Sequence, residues 1–198
     1  MTNATITPLT PVIGGEIEGI DLATPISDAE ASFIRQALLD HHVVFLRNQA
    51  LDHEQHKAVG NLFGELVKVP FVESVPCHPE IFEIIKLPEE RDVYNFGGNW
   101  HTDMTYMQEP ALVSTLYGAE VPPSGGDTMF ASLEDAYNAL SFGMQQLLEG
   151  LIGVHTADRS YGKAGKFASY TIADEGMDVR PSEDAAKQIE HPVVRTHP

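Results

Sequence analysis

Apolar residues in this chain come in short runs, and proline or glycine cuts off nearly every one of them. Ile6 to Leu22 (ITPLTPVIGGEIEGIDL) alternates apolar and polar residues and is broken by Pro8, Pro11 and Gly14-Gly15, which predicts a β-hairpin leading into a turn. Val43-Val44-Phe45-Leu46, Ile81 to Leu87 (IFEIIKL), Ala111 to Val121, Leu151 to Thr156 and Glu190 to Pro198 (EHPVVRTHP) read as further strands, from their length and their β-branched or aromatic content. Helix signals lie between them. Ser27-Asp28-Ala29-Glu30 is a capping box that opens a helix to about Asp40, with Phe33, Ile34, Ala37 and Leu38 at helical spacing. Asp52 with Gln55 caps a second, with Val59, Leu62 and Phe63 inward and Gly64 at its end. Ser132 to Leu140 and Ser141 to Leu151 predict two more. Many short strands with helices outside them fit a mainly β chain with some α. The expected form is a double-sheet jelly roll, one domain over residues 1–198. Arg159 to Gln188 breaks the pattern: its glycines and lack of period predict a mobile lid or insert, with Tyr161, Phe167 and Tyr170 as its few large apolar anchors.

Within this frame Asn99-Trp100-His101-Thr102-Asp103-Met104-Thr105-Tyr106 carries chemistry. In extended backbone residues i and i+2 share a face, so the His101 imidazole and the Asp103 carboxylate could reach one ion together. Two such ligands with a distant second histidine make the facial triad of non-haem Fe(II) oxygenases. A His-x-acid triplet alone is weak, and His78-Pro79-Glu80 is a decoy of the same form. His53 and His56, three apart on the second helix, are expected to be solvated rather than paired on a metal.

Composition narrows the partners. Twelve Lys and Arg against 29 Asp and Glu give a formal net charge of −17, which leaves no basic surface for nucleic acid. One or two local arginines could still hold an anionic substrate. Cys77 is the single cysteine, so an intramolecular disulfide and a cysteine-based zinc site are excluded. No apolar run is long enough to span a bilayer, so no membrane role and a cytoplasmic location are expected.

Four segments, taken in order, resemble the TauD/TfdA (taurine dioxygenase) family of Fe(II)- and 2-oxoglutarate-dependent oxygenases: ITPLTPVIGGEIEGIDL, HHVVFLRNQAL, NWHTDMTY with PPSGGDTMF, and HPVVRTHP. The resemblance implies a double-stranded β-helix core with flanking helices. It implies that His101 and Asp103 are catalytic iron ligands and that Thr128, in GGDT, binds a carboxylate of 2-oxoglutarate. Tyr106 matches a position lining the substrate pocket and Met104 a neighbour contacting substrate through its backbone. Without the family, Thr128 would read as an ordinary strand threonine, and Met104 and Tyr106 as core. Trp100 is expected to pack behind the metal segment. The implied reaction consumes O2 and 2-oxoglutarate, releases succinate and carbon dioxide, and hydroxylates an unactivated C–H bond of a small anionic organic molecule.

The chain departs from the family in two ways. Taurine-specific members place a histidine, a tyrosine and an asparagine where this chain has Val69, Val72 and Gly97, and those residues donate nothing to a sulfonate. Taurine is therefore not the expected substrate. The family's second iron histidine and its 2-oxoglutarate-binding arginine match no position before Pro198, and His155, His191, His197 and Arg195 do not stand in their places. A native chain continuing past Pro198 would supply them, and the 198 residues alone are expected to be incomplete at the jelly roll's C-terminal side and inactive. Two other readings stay open. One is a non-catalytic jelly-roll binding or structural protein that has lost the iron chemistry. The other is a two-ligand hydrolytic metal site with Glu109 as its base. Succinate release dependent on iron and 2-oxoglutarate separates the first reading from both. Substrate identity and whether the protein is a homo-oligomer are not set by these residues.

Overall fold

In the computed structural model, which describes residues 3–87, 96–168 and 178–197, the opening run folds as its breaks predict. β1 (Thr5–Pro8) and β2 (Gly15–Glu18) pair antiparallel, with Ile6 opposite Ile17. Gly19 ends β2 at φ +81, where a Cβ would stand 2.8 Å from the Asn3 carbonyl oxygen, so glycine is required twice over. The Ser27 hydroxyl accepts from the Glu30 amide and the Glu30 carboxylate accepts from the Ser27 amide, which fixes the start of α1 (Asp28–His41). That helix buries Ala31, Ile34 and Ala37. His42 then turns the chain at φ 63 into β3 (Val44–Phe45), which lies parallel to β2 and completes a sheet of order β1-β2-β3. α2 (His53–Gly60) has the expected Asp52–Gln55 capping box but stops at Gly60, ahead of Gly64. Ile17, Ile20, Leu22, Ile34, Ala37 and Val59 form one core, with Leu62 and Phe63 packed against it. α3 (Leu133–Asn138) and α4 (Phe142–Glu149) follow as predicted.

His56 on α2 is not solvated as expected. It is half-buried, its Nε2 lies 3.1 Å from the Thr115 hydroxyl, and burial first of all lowers its pKa from the usual 6.5. His53 is exposed.

The chain divides into two compact units. The first, just described, comprises Met1–Glu65 and Thr115–Gln146; the second comprises Leu66–Ser114 and Leu147–Pro198. In the second unit β4 (Ile152–His155) and β5 (Ile189–Pro192) form an antiparallel pair with Val154 opposite Glu190. Its core is Val72, Ala157, Tyr161, Phe167, Val179 and Ala185, with Val69, Phe71, Phe82, Phe96 and Tyr106 packed against it. α5 (Asp158–Tyr161) and a 3-10 turn (Glu183–Ala186) belong to this core. The segment Arg159 to Gln188, expected to be a lid, therefore anchors the core through Tyr161, Phe167, Val179 and Ala185 in its described parts. Residues 169–177, with Tyr170 and Gly176, lie outside the described residues.

Among the described residues two expected strands are absent: Ile81–Leu87 and Ala111–Val121 join no ladder there, and helices hold more of the chain than strands do. A strand exists through its partner, and β propensity without one leaves extended coil. The side-chain alternation nevertheless survives: Ala111, Val113, Thr115 and Tyr117 are half-buried while Leu112, Ser114 and Leu116 are exposed. The described strands do not themselves close into a double sheet. Among the described residues no helix is long and apolar enough to cross a membrane.

Candidate metal centre

The segment that carries His101 and Asp103 lies in the second unit. His101 Nδ1 is 2.7 Å from the Asn99 carbonyl oxygen. A carbonyl only accepts, so Nδ1 is the protonated nitrogen and Nε2 is directed elsewhere. It faces Asp103, with Nε2 3.2 Å from Oδ1. The other carboxylate oxygen, Oδ2, accepts from the Ser114 hydroxyl at 2.7 Å. The His101 and Asp103 side chains are about half exposed, at 52% and 54%.

The backbone differs from the extended segment that the i, i+2 spacing assumed. From Asp103 it bends into a turn in which the Met107 amide donates to the Met104 carbonyl at 2.9 Å and Met104 takes a left-handed φ of 55. The side chains of His101 and Asp103 still converge, because the turn begins only at Asp103. Two contacts pin that turn. Tyr106 enters the aromatic core, its ring 6.1 Å from Phe71 and 6.2 Å from Tyr161. Met107 offers its carbonyl to Nε2 of His191 at 3.0 Å, and His191 stacks edge-on with His155 at 5.4 Å.

Charge from the site reaches the core. The Tyr106 hydroxyl is pushed up to about 12, by burial first and then by the Asp103 carboxylate. Tyr161 is raised further, by burial, then by Tyr106 and Asp103.

This donor pair fits an iron ion. Two ligand atoms of one octahedral ion, each about 2.1 Å away and at right angles, stand about 3 Å apart, and Nε2 and Oδ1 are 3.2 Å apart. Imidazole and carboxylate suit Fe(II), and the Asn99 carbonyl and Ser114 hydroxyl orient them from behind. Among the described residues no group of three metal-ligating side chains comes together, so the third ligand is not found there. His191 is committed to Met107 and is no candidate.

The remaining sequence candidates are placed as follows. Gly97, at φ +70, lies beside His101: a Cβ there would meet His101 Cε1 at 3.7 Å. Val69 and Tyr106 both pack on the aromatic core. Thr128 is exposed, just after the Gly125-Gly126 turn, in the first unit. Trp100, expected behind the metal segment, is instead 69% exposed. Ser114 and His191 were not foreseen as parts of the centre. Ser114 lies in a segment whose composition reads as a strand and His191 in HPVVRTHP, and neither stands at a local spacing from His101 or Asp103.

Comparison with known proteins places the chain in a family. The family described as "Taurine catabolism dioxygenase TauD, TfdA family" matches residues 5–198. An alkylsulfatase from Acinetobacter baylyi is 35% identical over 96% of this chain and 58% of its own length. An alpha-ketoglutarate-dependent 2,4-dichlorophenoxyacetate dioxygenase from Cupriavidus pinatubonensis is 31% identical over 96% of the chain and 68% of its own. The crystal structure of a taurine dioxygenase from Burkholderia xenovorans superposes with a TM-score of 0.74 at 34% identity, over 98% of this chain and 59% of that one. The chain thus spans about three fifths of the length of that structure and of the alkylsulfatase. A family match along almost the whole chain has one meaning: this chain belongs to the TauD/TfdA dioxygenase family.

Proposed function

We propose that this chain carries the iron-holding part of a 2-oxoglutarate-dependent dioxygenase that hydroxylates an unactivated C–H bond of a small anionic molecule. The observation that carries it is the pairing of His101 Nε2 with Asp103 Oδ1 at 3.2 Å, each ligand oriented by its own hydrogen bond. When bound, Fe(II) and 2-oxoglutarate supply the oxidising power: the oxoacid loses carbon dioxide, one oxygen atom of O2 enters succinate and the other enters the C–H bond. The chain's own residues do the positioning. Asn99 keeps the His101 lone pair turned toward the ion, and Asp103 supplies the negative charge that offsets it. By the family resemblance Thr128 donates its hydroxyl to a 2-oxoglutarate carboxylate, and the family's double-stranded β-helix is the expected scaffold.

Val69, Gly97, Met104 and Tyr106 form the substrate side. Val69 and Gly97 offer no donor, and Val72, only 4% exposed, is a core residue. A compact, highly polar aminosulfonate such as taurine would find few partners there. An apolar body carrying one anionic group fits better, and the relatives named for alkyl sulfates and for 2,4-dichlorophenoxyacetate have substrates of that form. The formal net charge of −17 argues against a nucleic-acid partner.

The test is anaerobic Fe(II) binding and aerobic succinate release by the gene product, expressed with whatever flanks this chain, using an alkyl sulfate, an aryloxyacetate and taurine in parallel. His101→Ala should abolish both ion binding and turnover. Succinate release that survives in H101A would put the metal elsewhere, and taurine as the preferred substrate would overturn the pocket reading.

A further inference from the structure

We infer that Ser114 is a positioning residue which makes Asp103 a one-oxygen ligand, leaving enough of the metal's coordination sphere open for a chelating co-substrate. This rests on the iron reading above and goes beyond it, since the reading says which residues bind and not through how many atoms. Carboxylates ligate through one oxygen or through both. On an octahedral ion a facial triad takes three positions, a chelating 2-oxoacid two more and oxygen the last, so no position is spare. A two-oxygen Asp103 would take one of them from the co-substrate.

The structure distinguishes the two oxygens of Asp103. Oδ1 faces the Nε2 side of His101 at 3.2 Å, and Oδ2 is held by Ser114 at 2.7 Å. An ionised carboxylate only accepts, so the serine O–H donates, and 2.7 Å is the short length expected of a charge-assisted O–H···O⁻ bond. Ser114 is 11 residues along the chain from Asp103, so the bond is not a by-product of local turn geometry. It arises because the segment after Pro110 runs extended. Ala111 and Val113 turn inward, which puts Leu112 and Ser114 on the outward face where Asp103 stands. The hydroxyl acts through Asp103 and need touch neither substrate nor co-substrate.

The test uses the gene product loaded anaerobically with Co(II), whose visible absorption reports its coordination, and titrated with 2-oxoglutarate. In Ser114→Ala the Co(II) affinity should change by less than about threefold. The 2-oxoglutarate affinity should fall about tenfold, the lower end of what loss of a ligand's outer partner costs, and the Co(II) spectrum should shift. Ser114→Thr should restore both readouts to near the original. If S114A does not fold, the shape-matched pair S114T and S114V gives the same comparison, with S114V expected to behave as S114A. An alanine or valine variant that keeps the original spectrum and 2-oxoglutarate affinity overturns the inference. So does one that loses Co(II) more strongly than 2-oxoglutarate, because the hydroxyl would then be holding the ligand in place rather than choosing its oxygen. An unaltered protein that binds no Co(II) at all overturns the iron reading and this inference with it. One that binds Co(II) and 2-oxoglutarate normally, beside an indifferent S114A, leaves the reading intact and removes only the inference.

Discussion

Tyr106 is the residue at which the charge of Asp103 meets the core, and its phenol records both. A neutral phenol buried beside a carboxylate resists losing its proton, so its pKa in the folded chain stands near 12 rather than 10. In the unfolded chain the proton leaves at the ordinary value. Between roughly pH 10 and 12 the folded state therefore holds a proton that the unfolded state has lost, and stability falls as pH rises through that window while being fully present below it. Urea unfolding followed from pH 8 to 11 should show a steeper alkaline loss in the unaltered protein than in Tyr106→Phe, and equal slopes would show that Tyr106 is not buried in this way. Tyr161, raised in the same direction, should leave a residual slope in the variant. At this scale the sequence shows what is local. His101 and Asp103 are two residues apart, and their convergence could be read from spacing. Ser114 and His191 reach their partners across 11 and 84 residues, and no local pattern announces such a bond.

Helices could be read for the same reason. A capping box is a local device, and both the Ser27–Glu30 and the Asp52–Gln55 boxes formed where the sequence put them. The Ser27 contacts also lower the Glu30 carboxyl below its usual value, with the hydroxyl contributing most. Ser27→Ala leaves first-turn amides of α1 without that acceptor and should cost about 1 kcal/mol, a few degrees in Tm, whereas Ser27→Asp should be near neutral. A thermal melt of the two variants decides it, and an S27A protein melting with the original would mean that the helix start is held by packing alone. Strands fared less well, again for a physical reason. Ile81–Leu87 and Ala111–Val121 have the right composition, but a ladder needs a partner from elsewhere in the chain, and no composition supplies that. The hairpin of β1 and β2 was foreseen because its partner lies just across one turn.

Over the whole molecule the apolar surface is uneven. In the second unit Ile152, Val154 and Val193 are exposed on and beside the β4–β5 pair, and a two-stranded pair is marginal without a packed face. In the first unit Leu116, at 74% exposed, stands with Val121, Met129, Leu133 and Phe142 among the exposed large side chains. The 198 residues expressed by themselves should bind a hydrophobic dye such as ANS and self-associate at micromolar concentration, and Val154→Lys should reduce both. Dye fluorescence and light scattering measure this, and a monodisperse, dye-silent chain would show that these side chains need no cover.

His191 is the one polar or charged residue among the described residues that is buried, and what it grips is the carbonyl at the end of the metal turn. A ribosome makes Met107 early and its clasp, His191, 84 residues later. Closing so long a loop is entropically slow and has to await the β4–β5 pair. Until then a passing ion would meet a histidine and an aspartate on an unfastened stretch of chain. On the proposed iron reading, the order of synthesis thus makes metal capture a late act of assembly rather than the seed around which the protein folds.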